Sequence, residues 1–249
     1  MKQNSFSKKR IIHACVVIFI VVLLIIISFL FMLKYNVEGE KNLPFNIKSI
    51  NIISTAESDI KQDETEQWHA GILQKNDVFI VIGKNENYKK VDTIKEVRLE
   101  NFKIEQSNEN AVINIYRPKS NKYDFTYIDE YNINETIKYE GALETNVEVL
   151  QINNQGGKIG FCITQKNLGE YNFSINEKVP SDGKLLAKAG LKNEDIEFKV
   201  YFDLIIETGN GNKFKTNIVL ELPTGNILEE GVSTKEDSQL ENLIFKRIK

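Results

Sequence analysis

An uninterrupted apolar run near the start of the chain limits what this protein can fold into more than any other feature. Residues Ile11 to Leu33 contain no Asp, Glu, Lys or Arg. A helix of this length, rising about 1.5 Å per residue, crosses a hydrocarbon core of about 30 Å. The sequence therefore predicts one transmembrane helix at 11–33, after a basic stub at 1–10.

A cleavable signal peptide and a lipoprotein anchor are the two alternatives to a retained helix. A secretory signal has an apolar core of about 7–15 residues, followed by small residues at a cleavage site. This run is longer, and only Val37 and Gly39 beyond it resemble such a site. A lipoprotein signal places its apolar stretch before the modified cysteine, whereas here the stretch follows Cys15. A retained signal-anchor helix is the prediction.

The charges that flank the apolar run predict its orientation. Residues 8–10 are Lys-Lys-Arg, whereas residues 34–41 mix two acidic with two basic side chains. Basic flanks stay in the cytoplasm. We therefore expect a single-pass protein of the cell membrane, with a cytoplasmic amino terminus and the large domain outside.

The chain beyond the run is acidic and has one cysteine. Residues 34–249 hold 28 basic and 35 acidic residues, a net charge of −7. Polyanions are repelled by such a domain, so nucleic acid is not an expected partner. Because Cys162 is the only cysteine in this region, no disulfide can form within it.

Residues 34–44 are polar and predict a stalk, and residues 45–249 predict a β-rich extracytoplasmic domain. Apolar runs and alternation predict strands at 45–52, 69–74, 77–84, 96–104, 111–116, 123–137, 146–152, 158–164, 170–175, 196–207, 214–222 and 243–245. Turn-forming residues predict hairpins at 75–76 and 153–157, and polar runs predict a loop at 56–67 and a connector at 229–239. One short helix is predicted after Ser181-Asp182, with Gly190 at its end.

The clearest alternation lies on the two strands that flank residues 209–212. Even-numbered residues are apolar on both strands apart from Thr216, so even positions must pair with even positions if one face is buried. A two-residue turn would break this parity. The prediction is a three-residue loop or a glycine bulge, with Thr208 opposite Phe214 and Leu204 opposite Ile218.

These strands predict an Ig-like antiparallel β-sandwich with one short helix, built from about nine or ten strands. One sandwich and two smaller ones both fit the pattern.

No residue pattern in the chain predicts a catalytic, cofactor-binding or metal site. A Cys–His pair is conceivable from Cys162 and His69, but the sortase motif is absent. We expect Cys162 to be packed in a strand and His69 to begin one. Ser181–Lys184 matches a short Ser-x-x-Lys pattern that a helix cap explains better, and Gly156–Lys158 is better explained by a hairpin than by a phosphate loop. Acidic residues at 63–66 and 193–195 are expected to be solvated.

Several short stretches resemble uncharacterised membrane-anchored proteins of low-GC Gram-positive bacteria. The resemblance rests on residues 37–40, 43–47, 182–186, 196–200 and 245–247. It implies a membrane-tethered domain without a known activity, and it transfers no functional residue.

The leading functional prediction is a non-enzymatic binding or scaffold module of the cell envelope. Its expected partners are the lipid bilayer, through Ile11–Leu33, and another envelope protein. One alternative is a membrane-anchored envelope hydrolase that uses carboxylates, and another is an assembly subunit whose helix finds a partner. Carboxylates that converge in a deep cleft would favour the hydrolase, whereas an apolar patch or an unpaired strand edge would favour binding.

Overall fold

The computed structural model describes residues 3–62, 68–133, 135–142, 149–173, 183–237, 240 and 243–249. Residues 1–41 and 42–249 form two compact units. The first contains helix α1, Gln3–Glu38. Its segment Arg10–Glu38 is the only helix in the described ranges that is long and apolar enough to cross a membrane. The predicted apolar helix is confirmed, and it continues through Lys34–Glu38, which was predicted to be stalk.

The second unit contains two β-sheets and three short helices among its described residues. The strands are β1 Phe45–Gln62, β2 Trp68–Lys84, β3 Ile94–Gln106, β4 Val112–Tyr116, β5 Thr136–Ala142, β6 Gln151–Asn153, β7 Gly156–Phe173, β8 Phe198–Thr208, β9 Lys213–Leu222, β10 Val232–Asp237 and β11 Lys246–Ile248. The helices are α2 Leu185–Lys188, α3 Asn193–Ile196 and α4 Ile227–Glu230. A single 3₁₀ turn in these ranges covers Asp129–Tyr131.

Sheet A has the strand order β10-β1-β2-β7-β4, and sheet B has the order β11-β9-β8-β3-β5-β6. Every pair of neighbouring strands is antiparallel except β5 and β6, which are parallel. The predicted β-sandwich-like domain is confirmed. It has a few short helices, whereas one was predicted.

The main core lies between the two sheets. Alternate residues of β2 and β8, among them Ile80 and Phe202, are fully buried in it. The Phe161 ring of sheet A meets the Phe202 ring edge-on at a centroid distance of 5.3 Å. Burying such large apolar side chains is the main favourable contribution to folding.

A second, smaller core covers the far half of sheet A. There the inner face is packed against the three short helices, through Ile72 and Leu168 of the sheet and Leu186, Ile196 and Ile227 of the helices. The inner face of sheet A is therefore covered in two parts, by sheet B near the start of β1 and by α2–α4 near its end.

Buried polar side chains form a seam on β2 and its neighbouring strands, between the part of sheet A that packs in the main core and the part that packs in the second core. The Gln74 amide donates to the side chain of Gln165 and to the carbonyl oxygen of Ile196. Two residues further on, Asn76 accepts a hydrogen bond of 2.6 Å from the Ser54 hydroxyl. The four neighbouring side chains of this seam on sheet A are all fully buried: Ser54, Gln74, Asn76 and Gln165.

The predicted turn at Lys75-Asn76 is wrong. The predicted loop at 56–67 is wrong over residues 56–62, which belong to β1, and residues 63–67 lie outside the described residues. Strand β2 is continuous, and every second residue from Ala70 to Ile82 is buried. Strand β1 pairs with it from Phe45 to Gln62, apart from one bulge. The polar residues in the middle of β2 resemble a turn in sequence, but they form the buried seam.

The predicted hairpin at 153–157 is also wrong. Residues 154–155 do form a turn, yet β6 pairs with β5 in sheet B and β7 belongs to sheet A. The turn therefore passes from one sheet to the other. Strands predicted separately at 158–164 and 170–175 are one strand through Phe173, which contains a bulge.

The pairing of β8 with β9 confirms the predicted parity and the three-residue loop, but not the register. Phe202 lies opposite Ile218, and Ile206 lies opposite Phe214. The partner of each residue is thus shifted by two positions from the prediction, which preserves the buried face. Residues 209–211 form the loop, and the amide of Thr208 donates to the carbonyl oxygen of Asn212.

Four further local predictions differ from the structure. The connector predicted at 229–239 contains the end of α4 and the edge strand β10, and the last strand is Lys246–Ile248. Residues 123–133 are not a strand, and β5 begins only at Thr136. Residue 196 ends helix α3, so the long strand predicted from it begins at Phe198. The proposed helix caps Ser181 and Asp182 lie outside the described residues.

Candidate functional site

The segment 117–133 covers part of the outer face of sheet A, the face turned away from sheet B. Tyr123 and Phe125, two of the aromatic residues that suggested a strand, contact Phe79 of β2 at centroid distances of 5.7 and 6.3 Å. The Tyr123 hydroxyl donates to the carbonyl oxygen of Lys158. Burial raises the pKa of Tyr123 to about 12. The alternation of aromatic residues here reflects packing onto a sheet rather than pairing within one.

A charged side chain holds the end of this segment. The Lys75 ammonium group lies 3.3 Å from the Asp77 carboxylate and 5.6 Å from the centre of the Tyr127 ring. Burial lowers the pKa of Lys75, but its hydrogen bond with Tyr127 and the attraction of Asp77 outweigh this effect, so the pKa is raised. Burial also raises the pKa of Tyr127. Lys75 therefore stays charged and Tyr127 stays neutral.

The structure does not bring the two candidate nucleophilic residues together. Cys162 lies opposite Asp77 and His69 lies opposite Asn172. Positions 69 and 77 of β2 are eight residue steps apart, a separation of about 26 Å along the strand. Burial and the nearby Asp77 raise the pKa of the Cys162 thiol well above its usual range. His69 Nδ1 lies 2.6 Å from Asn172 Oδ1. Cys162 is a packed strand residue, as predicted. His69 is the second residue of β2.

Beside Tyr127 the outer face of sheet A carries a groove of about 540 Å³, which we call the Gly71 groove. Its lining includes Asp59, Gly71, Leu73, Tyr127, Thr164 and Glu170. Gly71 lies between Asp59 of β1 and Glu170 of β7, its direct neighbours across the sheet. Because glycine has no side chain, the sheet surface is recessed at Gly71, and an acidic side chain stands on either side of the recess.

A β-bulge shapes one side of the Gly71 groove. Between the pairs Ile72–Gly169 and Gln74–Gln165, the three residues 166–168 of β7 stand opposite Leu73 alone. Asn167 adopts a positive φ of 60° within this bulge. Bulges bend a strand and turn its side chains away from the regular alternation. Lys166 lies on the same face as Thr164 by regular alternation, and Asn167 joins it in lining the groove at the bulge.

Thr164 supplies an unusual polar group to the same groove. The residue is fully buried, and its hydroxyl has no hydrogen-bond partner among the described residues. Most buried hydroxyl groups are hydrogen-bonded, because an unpaired one loses its hydration without compensation. A ligand or water that reaches this hydroxyl would gain a ready hydrogen bond.

Those remaining sequence candidates that lie within the described residues do not form a site. Lys184 lies 3.7 Å from Glu229, while Ser181 lies outside the described residues. Residues 63–66 also lie outside them, and Asp195 accepts a hydrogen bond from the Lys192 amide at the start of α3. Within the described ranges no group of three or more His, Cys, Asp or Glu side chains is placed to hold a metal ion.

The Gly71 groove was missed because β1 was predicted to end before it. Because residues 56–67 were predicted to be a loop, Asp59 was not placed on a strand, and no residue was predicted to lie beside Gly71 on that side. The signal that was present is the period of two on β2, which places His69, Gly71 and Leu73 on one face.

Comparisons with known proteins do not assign the chain to a family. No family model and no curated protein matches it. Among solved structures, the delta-toxin of Clostridium perfringens aligns with 84% of this chain and 99% of its own, at 11% identity and a TM-score of 0.16. A TM-score this low carries no inference about fold or function. The resemblance to anchored Gram-positive proteins stays a prediction.

Proposed function

We propose that this protein is a membrane-anchored, non-enzymatic binding module. Its amino terminus lies in the cytoplasm, and its β-sandwich lies outside the cell membrane, where it binds another component of the envelope. Helix α1 supports the anchor by its length and apolar character, and the basic residues 8–10 support the orientation.

The observation that carries the binding role is the Gly71 groove. It is a preformed recess on a sheet face, lined by an aromatic ring, an aliphatic side chain and several polar groups. Small-molecule and polymer sites combine apolar contact with a few polar groups that fix orientation. In the same region, the one thiol of the domain is buried and protonated.

A carboxylate hydrolase is the second candidate, because Asp59 and Glu170 stand on either side of Gly71. Their Cα atoms are two strand spacings apart, about 10 Å. Inverting glycosidases hold two carboxyl groups about 6.5–9.5 Å apart. Both side chains are exposed here, however. A general acid needs a carboxyl group whose pKa is raised by burial or by a close like charge, so binding is the better-supported role.

Site-specific photocrosslinking in native membranes tests the proposal. A photoreactive amino acid replaces Asn167, beside the groove, and a matched control variant carries it at Asn210, in the β8–β9 loop. We expect one envelope component to be captured from position 167 and not from position 210. We also expect Gly71→Val to abolish that capture. Equal capture from both positions, or capture that persists in Gly71→Val, would overturn the assignment of the groove.

A further inference from the structure

We propose that the Gly71 groove binds a neutral, hydroxyl-rich glycan chain. This inference rests on the proposed binding function and names the ligand class of the same site. Its basis is the combination of hydrogen-bonding groups, apolar surface and charge in the groove.

The polar groups of the groove suit a row of hydroxyl groups. Asp59 and Glu170 offer carboxylate oxygens as acceptors, while Lys166 and Asn167 offer N–H donors. A sugar ring carries hydroxyl groups that donate to the first set and accept from the second. Acceptors and donors lie on the same side of the sheet within a few residues of each other, so neighbouring hydroxyls can be bound together.

The unpartnered hydroxyl of Thr164 is an independent indication of a ligand. It is the one fully buried side chain that both lines the groove and lacks a hydrogen-bond partner among the described residues. A hydroxyl group both donates and accepts, so it pairs with a sugar hydroxyl in either direction. Leaving a buried polar group unpaired is unfavourable, and a bound glycan would remove that cost.

The apolar lining suits the faces of sugar rings, which present C–H groups. Leu73 and the Tyr127 ring provide this surface, and both are only partly buried. The contact of Tyr127 with Lys75 and its edge-on contact with Tyr116, at a centroid distance of 5.4 Å, hold the ring in place. A ring fixed before binding loses little conformational entropy when the ligand arrives.

A peptide partner fits the groove less well. An extended peptide gains affinity by pairing its backbone with an unpaired strand edge. The groove lies on a sheet face, and its floor at Gly71 is already paired with strands on both sides. A peptide there would have to leave its own backbone groups to water.

A highly charged polymer also fits less well, because the groove charges nearly balance. Glu57, Asp59 and Glu170 face Lys61 and Lys166, and Lys61 pairs with Asp59 at 3.0 Å. Neither a polyanion nor a polycation would find a large excess of opposite charge. An uncharged chain avoids the cost of removing its own charges from water.

Isothermal titration calorimetry on the full chain tests the proposal. The protein is held in micelles of a detergent without a sugar head group, so that the detergent cannot occupy the groove. The probes are a soluble N-acetylglucosamine oligosaccharide, a glucose oligosaccharide and poly(glycerol phosphate). The first two distinguish a wall glycan from another polysaccharide as the source of the same hydroxyl chemistry, and the third tests an anionic polymer.

Three variants locate the binding. Gly71→Val fills the floor of the groove. A Cβ at Gly71 meets its nearest atom, the Asp59 carbonyl oxygen, at an ordinary 3.6 Å, so we expect the fold to be kept and the affinity to fall at least tenfold. Thr164→Val keeps the shape and removes the hydroxyl, and should weaken binding about tenfold. Glu194→Gln, on α3 away from the groove, should change nothing.

The outcomes separate this inference from the proposed function. Saturable binding of a neutral oligosaccharide that is weakened by Gly71→Val supports it. Binding that Gly71→Val leaves unchanged overturns it, and so does a preference for poly(glycerol phosphate). If no glycan binds but position 167 still captures an envelope protein, the glycan inference fails and the binding function stands. Cleavage of an oligosaccharide would contradict the non-enzymatic function itself.

Discussion

Gly183, shortly before α2, is in contact with Gly231, which directly follows α4. Gly231 has a φ of 74°, and a Cβ built on it would lie 2.7 Å from the Cα of Gly183. Glycine adopts the left-handed region without strain, whereas other residues do not. This contact brings the two helices together above the far half of sheet A.

Gly231→Ala should destabilise the domain by about 2–4 kcal/mol, because strain at positive φ adds to a backbone clash. The matched control is Gly211→Ala, whose φ is 78° but whose Cβ would meet nothing within 4 Å. Strain alone should cost about 1 kcal/mol there. Urea denaturation of both variants measures the difference. Equal losses would show that the glycine–glycine contact has no role.

Asp203 is a carboxylate whose pKa is set by neighbouring side chains. It accepts hydrogen bonds from Asn101 at 2.7 Å and from Lys215 at 2.8 Å. Burial opposes ionisation, but the bonds from Lys215 and Asn101 outweigh it, so the pKa of Asp203 lies below its usual range. A carboxylate with a lowered pKa stabilises the folded state above its unfolded pKa of about 3.9, and this contribution is lost as the pH falls through the folded value.

Asp203→Asn should therefore lower the free energy of unfolding by about 1–2 kcal/mol at pH 7. The gap between variant and wild type should shrink as the pH falls below about 4. Denaturation curves from pH 2.5 to 7 measure this. Glu221→Gln is the control, because an exposed ion pair such as that of Glu221 with Lys199 contributes little to stability. A gap for Asp203→Asn that stays constant with pH would contradict the assignment.

At the scale of elements, one face of the long strand β2 contributes side chains to both cores. Its apolar residues pack against sheet B near Lys84 and against the helices near Trp68. Between them, Gln74 Oε1, Asn76 Nδ2 and Gln165 Nε2 are buried without partners among the described residues. Such partly satisfied networks weaken the packing locally, but they specify how strands and helices fit together.

A double-mutant cycle on the seam tests how its amides are coupled. Gln74→Met should cost about 1–3 kcal/mol, because it leaves the Ile196 carbonyl and the Gln165 amide unpaired. Gln74→Met with Gln165→Met removes both amides and should cost less than the sum of the two single changes. Chemical denaturation of the four proteins gives the coupling energy. Simple additivity would show that the two amides act independently.

At the scale of the whole molecule, the proposed anchor and its orientation decide on which side of the membrane the β-rich domain lies. In a Cys15→Ala background, Asn210→Cys places a thiol in an exposed loop of the domain, and Ser7→Cys places one before the apolar run. A membrane-impermeant maleimide should label position 210 in intact cells and position 7 only after permeabilisation. Cys162 should stay unlabelled in both cases, because it is buried and its thiol is protonated.

The reverse labelling pattern would invert the proposed orientation. Release of the labelled domain into the medium, without residues 1–33, would replace the anchor with a cleaved signal. Both results leave the fold unchanged, because the sandwich forms its cores within residues 42–249.

Local patterns sufficed for those parts of the protein whose environment is uniform along the chain. The apolar helix needs only an unbroken run of apolar residues, and the strands β8 and β9 need only alternation with a loop that preserves parity. Burial of Cys162 followed from its position in an apolar strand. In each case, neighbours in sequence already specify which face is buried.

Only the tertiary structure decided the continuity of β1 and β2, the passage from β6 to β7 between sheets, and the Gly71 groove. Gln74 and Asn76 look like turn residues because their partners, Gln165 and Ser54, are distant in sequence. Asp59 and Glu170 lie on either side of Gly71 because strands more than 100 residues apart in sequence pair with β2. Strand pairing and polar burial depend on which distant segments meet, and a local period carries no information about that.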